Sequence, residues 1–173
     1  MAKWDMGDVG NNRIIVDDFL PEEDLKNILK VVNDQSFDWH LADKITLEQK
    51  DDDIFFYLCH VFYNQTSLLQ SKFFELIFPL LKKIDPKALI RAKANLYLNQ
   101  GFGVKEHAEH TDYPFKHKGA LYSLNTCDGY TKIGEEKIPS VANRIIFFDP
   151  SVPHCSTSCS DSKTRMNINI NYF

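Results

Sequence analysis

Four residues in the last third of the chain have side chains that could bind a metal ion and an organic acid. His110 and Asp112 are separated by one residue, and His154 and Arg165 follow later in the sequence. Two imidazoles and one carboxylate on one face of a metal ion leave coordination positions open for further ligands. An arginine can hold a carboxylate through two parallel hydrogen bonds. The four residues therefore indicate a metal site that also accepts an organic acid.

Strand alternation favours this pair of ligands over a neighbouring pair. We predict a strand over residues 104–112, in which alternate side chains point to the same face. His110 and Asp112 would share the more apolar face, whereas His107 and Glu109 would point the opposite way. Only one of these faces can line an interior. Because His110 and Asp112 share the more apolar face, we predict that their face is the interior one.

The last predicted strand, Arg165–Tyr172, has one polar and one apolar face. The polar face consists of Arg165, Asn167, Asn169 and Asn171, and the apolar face of Met166, Ile168, Ile170 and Tyr172. The predicted strand Ile90–Leu98 repeats this pattern, with Arg91, Lys93, Asn95 and Tyr97 opposite Ala92, Ala94, Leu96 and Leu98. We expect helices to cover the apolar face and the polar face to line a wet, charged cavity. An ordinary half-exposed edge strand is the alternative.

The remaining elements predict a mainly β protein of the α+β class. In the first half we expect a strand at Arg13–Phe19, a helix from Pro21, a strand at Ile54–Tyr63 and a second helix over Ser67–Ile84, interrupted at Pro79. Further strands are expected at Gly119–Asn125, Tyr130–Ile133 and Arg144–Phe148. Many short strands with turns between them are typical of a sandwich or jelly roll.

The chain has 173 residues, of which 43% are hydrophobic and 13% aromatic, and its formal net charge is −4. This composition predicts one globular domain over residues 1–173. The negative charge disfavours a nucleic-acid partner. No apolar run is long enough for a signal peptide or a transmembrane helix, so we expect a cytoplasmic protein with no membrane partner. Its four cysteines would then be reduced thiols, without the spacing of a structural zinc site.

The order and spacing of His110-Thr-Asp112, His154 and Arg165 resemble the pattern of the Fe(II)/2-oxoglutarate-dependent oxygenase superfamily. The segments Leu121–Asn125 and Asn143–Asp149 are similar to strands of its prolyl hydroxylase branch, as is the N-terminal segment Ile14–Leu25. The resemblance implies a double-stranded β-helix (jelly-roll) core at residues 89–173, with a helix-rich N-terminal support at residues 1–88 whose helices pack on one sheet.

The resemblance also implies roles for individual residues. His110, Asp112 and His154 would bind Fe(II), and Arg165 would bind the distal carboxylate of the cosubstrate 2-oxoglutarate. Tyr97 lies where related enzymes place a tyrosine that contacts the cosubstrate. Asn95 and Asn167 are similar to cosubstrate-binding positions of AlkB-type nucleic-acid demethylases.

The implied activity is hydroxylation of a C–H bond with O2, with release of succinate and CO2. A peptide, protein or amino-acid substrate is expected from the prolyl hydroxylase branch. Two alternatives stay open. The first is an AlkB-like demethylase, although Asn171 stands where that branch has a second arginine. The second is a metal-binding jelly-roll protein without catalytic activity. Ser123 stands where some prolyl hydroxylases carry a cosubstrate-binding tyrosine, and the sequence does not indicate the oligomeric state.

Overall fold

The computed structural model describes residues 13–50 and 53–173, so the signal-peptide prediction, which concerns residues 1–12, lies outside the described part. The strands are β1 Ile14–Val16, β2 His40–Ala42, β3 Tyr57–Asn64, β4 Leu69–Gln70, β5 Leu89–Leu98, β6 Lys118–Ser123, β7 Tyr130–Ile133, β8 Glu136–Pro139, β9 Ile145–Phe148, β10 His154–Ser156 and β11 Thr164–Tyr172. The helices are α1 Glu22–Val32 and α2 Phe78–Ile84, and a 3₁₀ turn at Phe74–Ile77 precedes α2.

The strands form two antiparallel sheets. The large sheet has the order β1-β9-β6-β11-β5-β3-β2, with β4 paired to β3, and the small sheet has the order β10-β7-β8. A small apolar cluster joins the facing sides of the sheets: Leu121 of β6 and Ile146 and Phe148 of β9 pack with Ile133 and Ile138 of the small sheet. The architecture is the mainly β jelly roll predicted from the sequence.

The main hydrophobic core lies on the other side of the large sheet, under the helices. Pro21 precedes α1, and three acidic residues in its first turn favour the helix dipole. The buried stripe of α1, Leu25, Ile28 and Val32, belongs to the same core as Ile168 and Ile170 of β11. The predicted packing of helices on the apolar face of this strand is confirmed.

The second helix is shorter than predicted. Within Ser67–Ile84, residues Leu69 and Gln70 pair with β3, and α2 begins only at Phe78. Pro79 lies in the first turn of α2, where its missing N–H leaves no helical hydrogen bond unmade. The proline therefore marks the start of a helix rather than the middle of one.

The predicted strand over residues 104–112 is wrong. This segment touches its neighbours through two isolated bridges, Glu106 to Thr157 and His110 to His154. Between them the chain advances four residues on one side, from 106 to 110, and three on the other, from 157 to 154. One extra residue acts like a β-bulge and breaks the alternation of faces.

Candidate active site

The two histidines and Asp112 lie together at one end of the facing sheets. Their candidate ligand atoms are all within 4.8 Å of one another, and His110 Nε2 is 3.9 Å from Asp112 Oδ1. The backbone holds the group, because His110 and His154 exchange two N–H to carbonyl hydrogen bonds of 3.0 Å. The N–H of Asp112 donates to the Pro150 carbonyl at 2.9 Å. The structure thus brings together the three predicted metal ligands.

Hydrogen bonds to carbonyl oxygens set the tautomers of both histidines. His110 Nδ1 lies 3.3 Å from the Ala108 carbonyl, and His154 Nδ1 lies 2.9 Å from the Val152 carbonyl. A carbonyl only accepts, so each Nδ1 must carry the proton. The lone pair of each Nε2 is then available to a metal ion, and the orientation of each ring is fixed by its partner.

Asp112 is held in its ionised form. Its Oδ1 accepts from Arg91 Nη2 at 3.1 Å, and its Oδ2 accepts from Asn169 Nδ2 at 2.9 Å. Burial alone would raise the pKa of Asp112, but Arg91, the nearby histidines and the Asn169 hydrogen bond lower it to about 2. Burial, and then the neighbouring His154, lower the pKa of His110. Both groups therefore stay deprotonated at neutral pH, as metal binding requires.

Arg165 is buried at the inner end of the polar face of β11, with 1% of its surface exposed. Its Nη2 donates to Thr131 Oγ1 at 2.7 Å, its Nη1 donates to the Thr157 carbonyl at 3.3 Å, and its Cζ lies 5.6 Å from the centre of the Tyr97 ring. Within residues 13–50 and 53–173, no carboxylate pairs with this guanidinium, and its Nε has no hydrogen-bond partner. A buried cation in this state is suited to bind an anionic ligand.

The absence of a side chain at Gly129 leaves room for the Arg165 side chain. A Cβ at this position would lie 2.7 Å from Arg165 Cδ and 2.7 Å from the Ser158 carbonyl oxygen, closer than real contacts allow. The glycine precedes β7, the strand that carries Thr131. Gly129 therefore leaves space for the Arg165 side chain, and Thr131 of the small sheet supplies a hydroxyl that accepts from the guanidinium. The sequence pattern indicated neither residue.

The three other predicted cosubstrate residues line the same interior. Asn95 Nδ2 donates to Asn167 Oδ1 at 2.8 Å across the β5–β11 pair. Tyr97 stacks on Tyr57, with ring centres 5.5 Å apart. Burial raises the pKa of Tyr97, although Arg165 opposes this effect, so its hydroxyl stays protonated. Their contacts with a cosubstrate stay a prediction.

His107 points inward, against the prediction that it faces away from His110. It is 7% exposed, its Nδ1 lies 2.9 Å from Ser156 Oγ, and its ring centre is 5.3 Å from that of Tyr97. Burial, followed by the charges of Arg165 and His110, lowers its pKa to about 3. The extra residue between the two backbone bridges explains why His107 and His110 both turn inward. Glu109 is exposed, as predicted.

Two cavities border the metal-ligand group. An inner chamber of about 40 Å³ is lined by Asn95, Tyr97, His110, Leu121, Thr131, Phe148, His154, Ser156, Asn167 and Asn169. An outer cleft of about 420 Å³ is lined by residues 43–48, Tyr57, Arg91, Lys93 and residues 110–112. His110 lines both spaces. The metal site therefore lies between a small polar chamber, whose lining residue Thr131 contacts Arg165, and a larger cleft.

Three solved structures of oxygenases share this fold at low sequence identity. A Burkholderia pseudomallei oxidoreductase of the 2OG-Fe(II) oxygenase family aligns with a TM-score of 0.67 and 10% identity, over 92% of this chain and 84% of its own. A Pseudomonas putida prolyl-4-hydroxylase gives 0.62 and 10%, over 94% and 92%. A Trichoplax adhaerens prolyl hydroxylase, solved with a hypoxia inducible factor peptide fragment, gives 0.61 and 17%, over 94% and 84%. The chain has the fold of the 2OG-Fe(II) oxygenases, so the predicted resemblance is confirmed for the fold.

Sequence comparisons give no further assignment. No sequence model of a protein family matches the chain, and no curated protein matches it significantly.

Within residues 13–50 and 53–173, the helices are too short or too polar to cross a bilayer. The four cysteines are unpaired.

Proposed function

We propose that this protein is an Fe(II)- and 2-oxoglutarate-dependent dioxygenase that hydroxylates a C–H bond of its substrate. One observation carries the proposal: a cluster of two histidines and an aspartate borders a polar chamber, beside a buried arginine that pairs with no carboxylate of the described residues. A metal-binding module without catalytic activity has no evident use for an open metal face beside an anion-binding residue.

The chemistry of the donor atoms fits Fe(II). His110 and His154 offer neutral Nε2 atoms, and Asp112 offers an ionised carboxylate. Such a set occupies one face of an octahedral ion and leaves the other positions open. The Arg91 and Asn169 contacts orient the carboxylate from behind, as partners of metal ligands commonly do.

The polar lining of the chamber and the buried Arg165 beside it match the chemistry of an organic dianion such as 2-oxoglutarate. We assign its distal carboxylate to Arg165, whose unpartnered Nε leaves a buried donor available. Tyr97, Asn95 and Asn167 would position the remainder of the cosubstrate. Thr131 would hold the guanidinium plane in place through its 2.7 Å hydrogen bond.

The bound iron and cosubstrate would together supply the oxidising power for C–H hydroxylation. The protein contributes position and charge. The histidine tautomers keep both Nε2 atoms free of protons, Asp112 stays ionised, and apolar Leu121 and Phe148 shield the chamber wall from water. His110, Asp112 and His154 can therefore bind a metal ion without first losing a proton.

We infer a peptide, protein or amino-acid substrate rather than a nucleic acid. Two of the solved structures with this fold are named prolyl hydroxylases, and one was crystallised with a peptide fragment. The formal net charge of −4 gives no general attraction to a phosphate backbone. A cytoplasmic location belongs to the same proposal, and the unpaired cysteines agree with a reducing compartment.

Anaerobic addition of Fe(II) and 2-oxoglutarate tests the proposal. We expect a weak visible charge-transfer band, which requires both ligands at one metal site. Asp112→Ala should abolish the band and succinate formation, because it removes one of three protein ligands. The matched control is His40→Ala, which removes an exposed histidine whose ring stacks on His60, and it should keep both signals.

Succinate release on admitting O2 completes the test, measured with proline peptides, free amino acids and methylated oligonucleotides. Stimulation by a peptide or an amino acid supports the substrate class. Stimulation by the oligonucleotides alone would replace it with the demethylase alternative. A protein that binds Fe(II) but gives neither the band nor succinate would refute the oxygenase proposal.

A further inference from the structure

Two basic residues lie side by side at the outer end of the polar face of β5. Arg91 and Lys93 are separated by one residue, so both point to the face that carries Asn95 and Tyr97. Both line the outer cleft together with the metal ligands His110 and Asp112. Two like charges this close on one strand face repel each other unless an anion lies between or beside them.

The protein neutralises these charges only in part. Arg91 Nη2 binds Asp112 at 3.1 Å, but its Nε is buried without a hydrogen-bond partner within the described residues. Lys93 Nζ donates to Tyr57 Oη at 2.9 Å, and no carboxylate pairs with it in residues 13–50 and 53–173. Burial and the charge of Arg91 lower the pKa of Lys93 to about 8. Among the described residues, Asp112 is thus the only buried carboxylate beside these two cations, and it would also be a ligand of the metal ion.

The segment of the cleft wall at residues 43–48 adds a third donor. Thr46 is 8% exposed, and its Oγ1 is buried without a hydrogen-bond partner in the part of the chain that the structure describes. Gln49 fixes this wall: its Oε1 accepts from the Ile45 N–H at 2.7 Å, and its Nε2 donates to the Phe55 carbonyl at 2.6 Å. The two acidic residues of this wall, Asp43 and Glu48, are exposed. The buried part of the lining therefore has hydrogen-bond donors that a bound anion could satisfy.

We propose that the outer cleft binds an oxyanion of the substrate, a carboxylate or a phosphate monoester, through Lys93, with Arg91 and Thr46 as additional donors. This inference rests on the proposed function, because it assigns the charge of the molecule that reaches the metal site. A cleft of about 420 Å³ has the size of a small-molecule site. The anion would fix one end of the substrate, and the neutral remainder would extend toward His110.

Matched pairs of blocked amino acids test the proposal. The carboxylate pair is N-acetylaspartate amide and N-acetylasparagine amide, and the phosphate pair is N-acetyl-O-phosphoserine amide and N-acetylserine amide. Their dissociation constants are measured by ligand-observed NMR on the anaerobic protein with Fe(II) and saturating 2-oxoglutarate, so that Arg165 is already occupied. We expect the anion of at least one pair to bind about tenfold tighter than its neutral partner, as for hydrogen bonds to a charged group.

Substitutions at Lys93 assign the preference to the cleft. Lys93→Met keeps most of the side-chain volume but removes the ammonium, and the preference should fall to about twofold or less. Lys93→Arg keeps the positive charge and should retain most of the preference. The control Lys30→Met removes the same charge from the exposed side of α1 and should leave the preference unchanged.

The outcomes separate this proposal from the proposed function. The visible charge-transfer band reports iron and cosubstrate binding, whereas the preference within each pair reports the cleft. A normal band with no anion preference in either pair, or with a preference that survives Lys93→Met, would overturn the anion site alone. Absence of the band would overturn the proposed function. A preference in only one pair identifies the anion as carboxylate or phosphate.

Discussion

Replacing Arg165 with methionine separates the binding role of this residue from its contribution to stability. Burying a guanidinium costs several kcal/mol, and no carboxylate among the described residues offsets that cost. Its hydrogen bonds to Thr131 and Thr157 each return about 1.5–3 kcal/mol. These terms nearly cancel, so the free energy of unfolding of the ligand-free Arg165→Met variant should stay within about 2 kcal/mol of wild type.

The variant should differ sharply once 2-oxoglutarate is added. At a concentration of 100 times the wild-type Kd, the cosubstrate stabilises the wild-type protein by about 2.7 kcal/mol. Loss of a two-pronged, charge-assisted bond of about 3 kcal/mol raises the Kd about 100-fold. At the same concentration, the variant would then gain only about 0.4 kcal/mol.

Urea unfolding measures both quantities on the anaerobic Fe(II) protein, with and without 2-oxoglutarate. Arg144→Met is the matched control, because Arg144 binds Asp17 at the surface through hydrogen bonds of 2.6 and 2.9 Å. The control should keep the full gain from the cosubstrate. Arg165→Lys should give an intermediate gain, since it keeps a point charge but not the planar fork.

Two results would refute this reasoning. If ligand-free Arg165→Met lost more than about 4 kcal/mol, the guanidinium would be a structural element comparable to a large core side chain. If 2-oxoglutarate stabilised the variant as much as wild type, Arg165 would not be the anchor of the cosubstrate. In either case the absence of a carboxylate partner would need another explanation.

Two further substitutions test the surroundings of the site, and a third tests the main core on the other side of the large sheet. Gly129→Ala should weaken 2-oxoglutarate binding about tenfold in calorimetry while leaving metal binding intact, because the new Cβ displaces Arg165; unchanged binding would contradict this. His107 has a folded-state pKa near 3 and an ordinary value near 6.5, so the unfolded chain binds more protons as pH falls from about 6.5 to 3, and stability falls with it. In metal-free urea unfolding, His107→Asn should reduce this loss by about 1 kcal/mol per pH unit, and equal slopes would refute the assignment. Asn143→Ala should cost about 3 kcal/mol in the same assay, because its side chain makes two 2.8 Å hydrogen bonds to the Leu20 backbone and accepts one from a tyrosine hydroxyl; a loss below about 1 kcal/mol would contradict it.

Alternation along β5 and β11 was predictable because both strands are long and stay in register from Thr164 to Asn171. Asn95 faces Asn167 and Tyr97 faces Arg165, so one run of residues determines which side chains share the cavity. The same run of apolar residues on the opposite face predicted the helical cover. Where local pattern and long-range pairing agree, the sequence alone is sufficient.

The segment from residue 104 to 112 failed because its geometry depends on a distant partner. The extra residue opposite Thr157 and His154 is invisible in the segment itself, yet it turns His107 inward. The short strands β2, β8 and β10 were missed for a related reason. They are as short as β7 and β9 but have fewer β-branched and aromatic residues, so only pairing with neighbours defines them.

The unsatisfied polar atoms of the described residues are concentrated around the two cavities. Buried side-chain atoms without a hydrogen-bond partner occur in Thr46, Arg91, Asn95, Arg165, Asn169 and Asn171. Five of these residues lie on the inner face of β5 and β11, and the sixth lines the outer cleft. Each such atom costs about 1–3 kcal/mol of folding free energy. Apolar side chains at these positions would have avoided this cost, and the main core on the other side of the sheet does not need the polar ones. A cost concentrated on this strand face and along the outer cleft is expected if bound ligands satisfy several of these atoms. The unsatisfied donor atoms of Arg165, Arg91 and Thr46 therefore support a metal site with an anionic cosubstrate on one side and an anionic substrate group on the other.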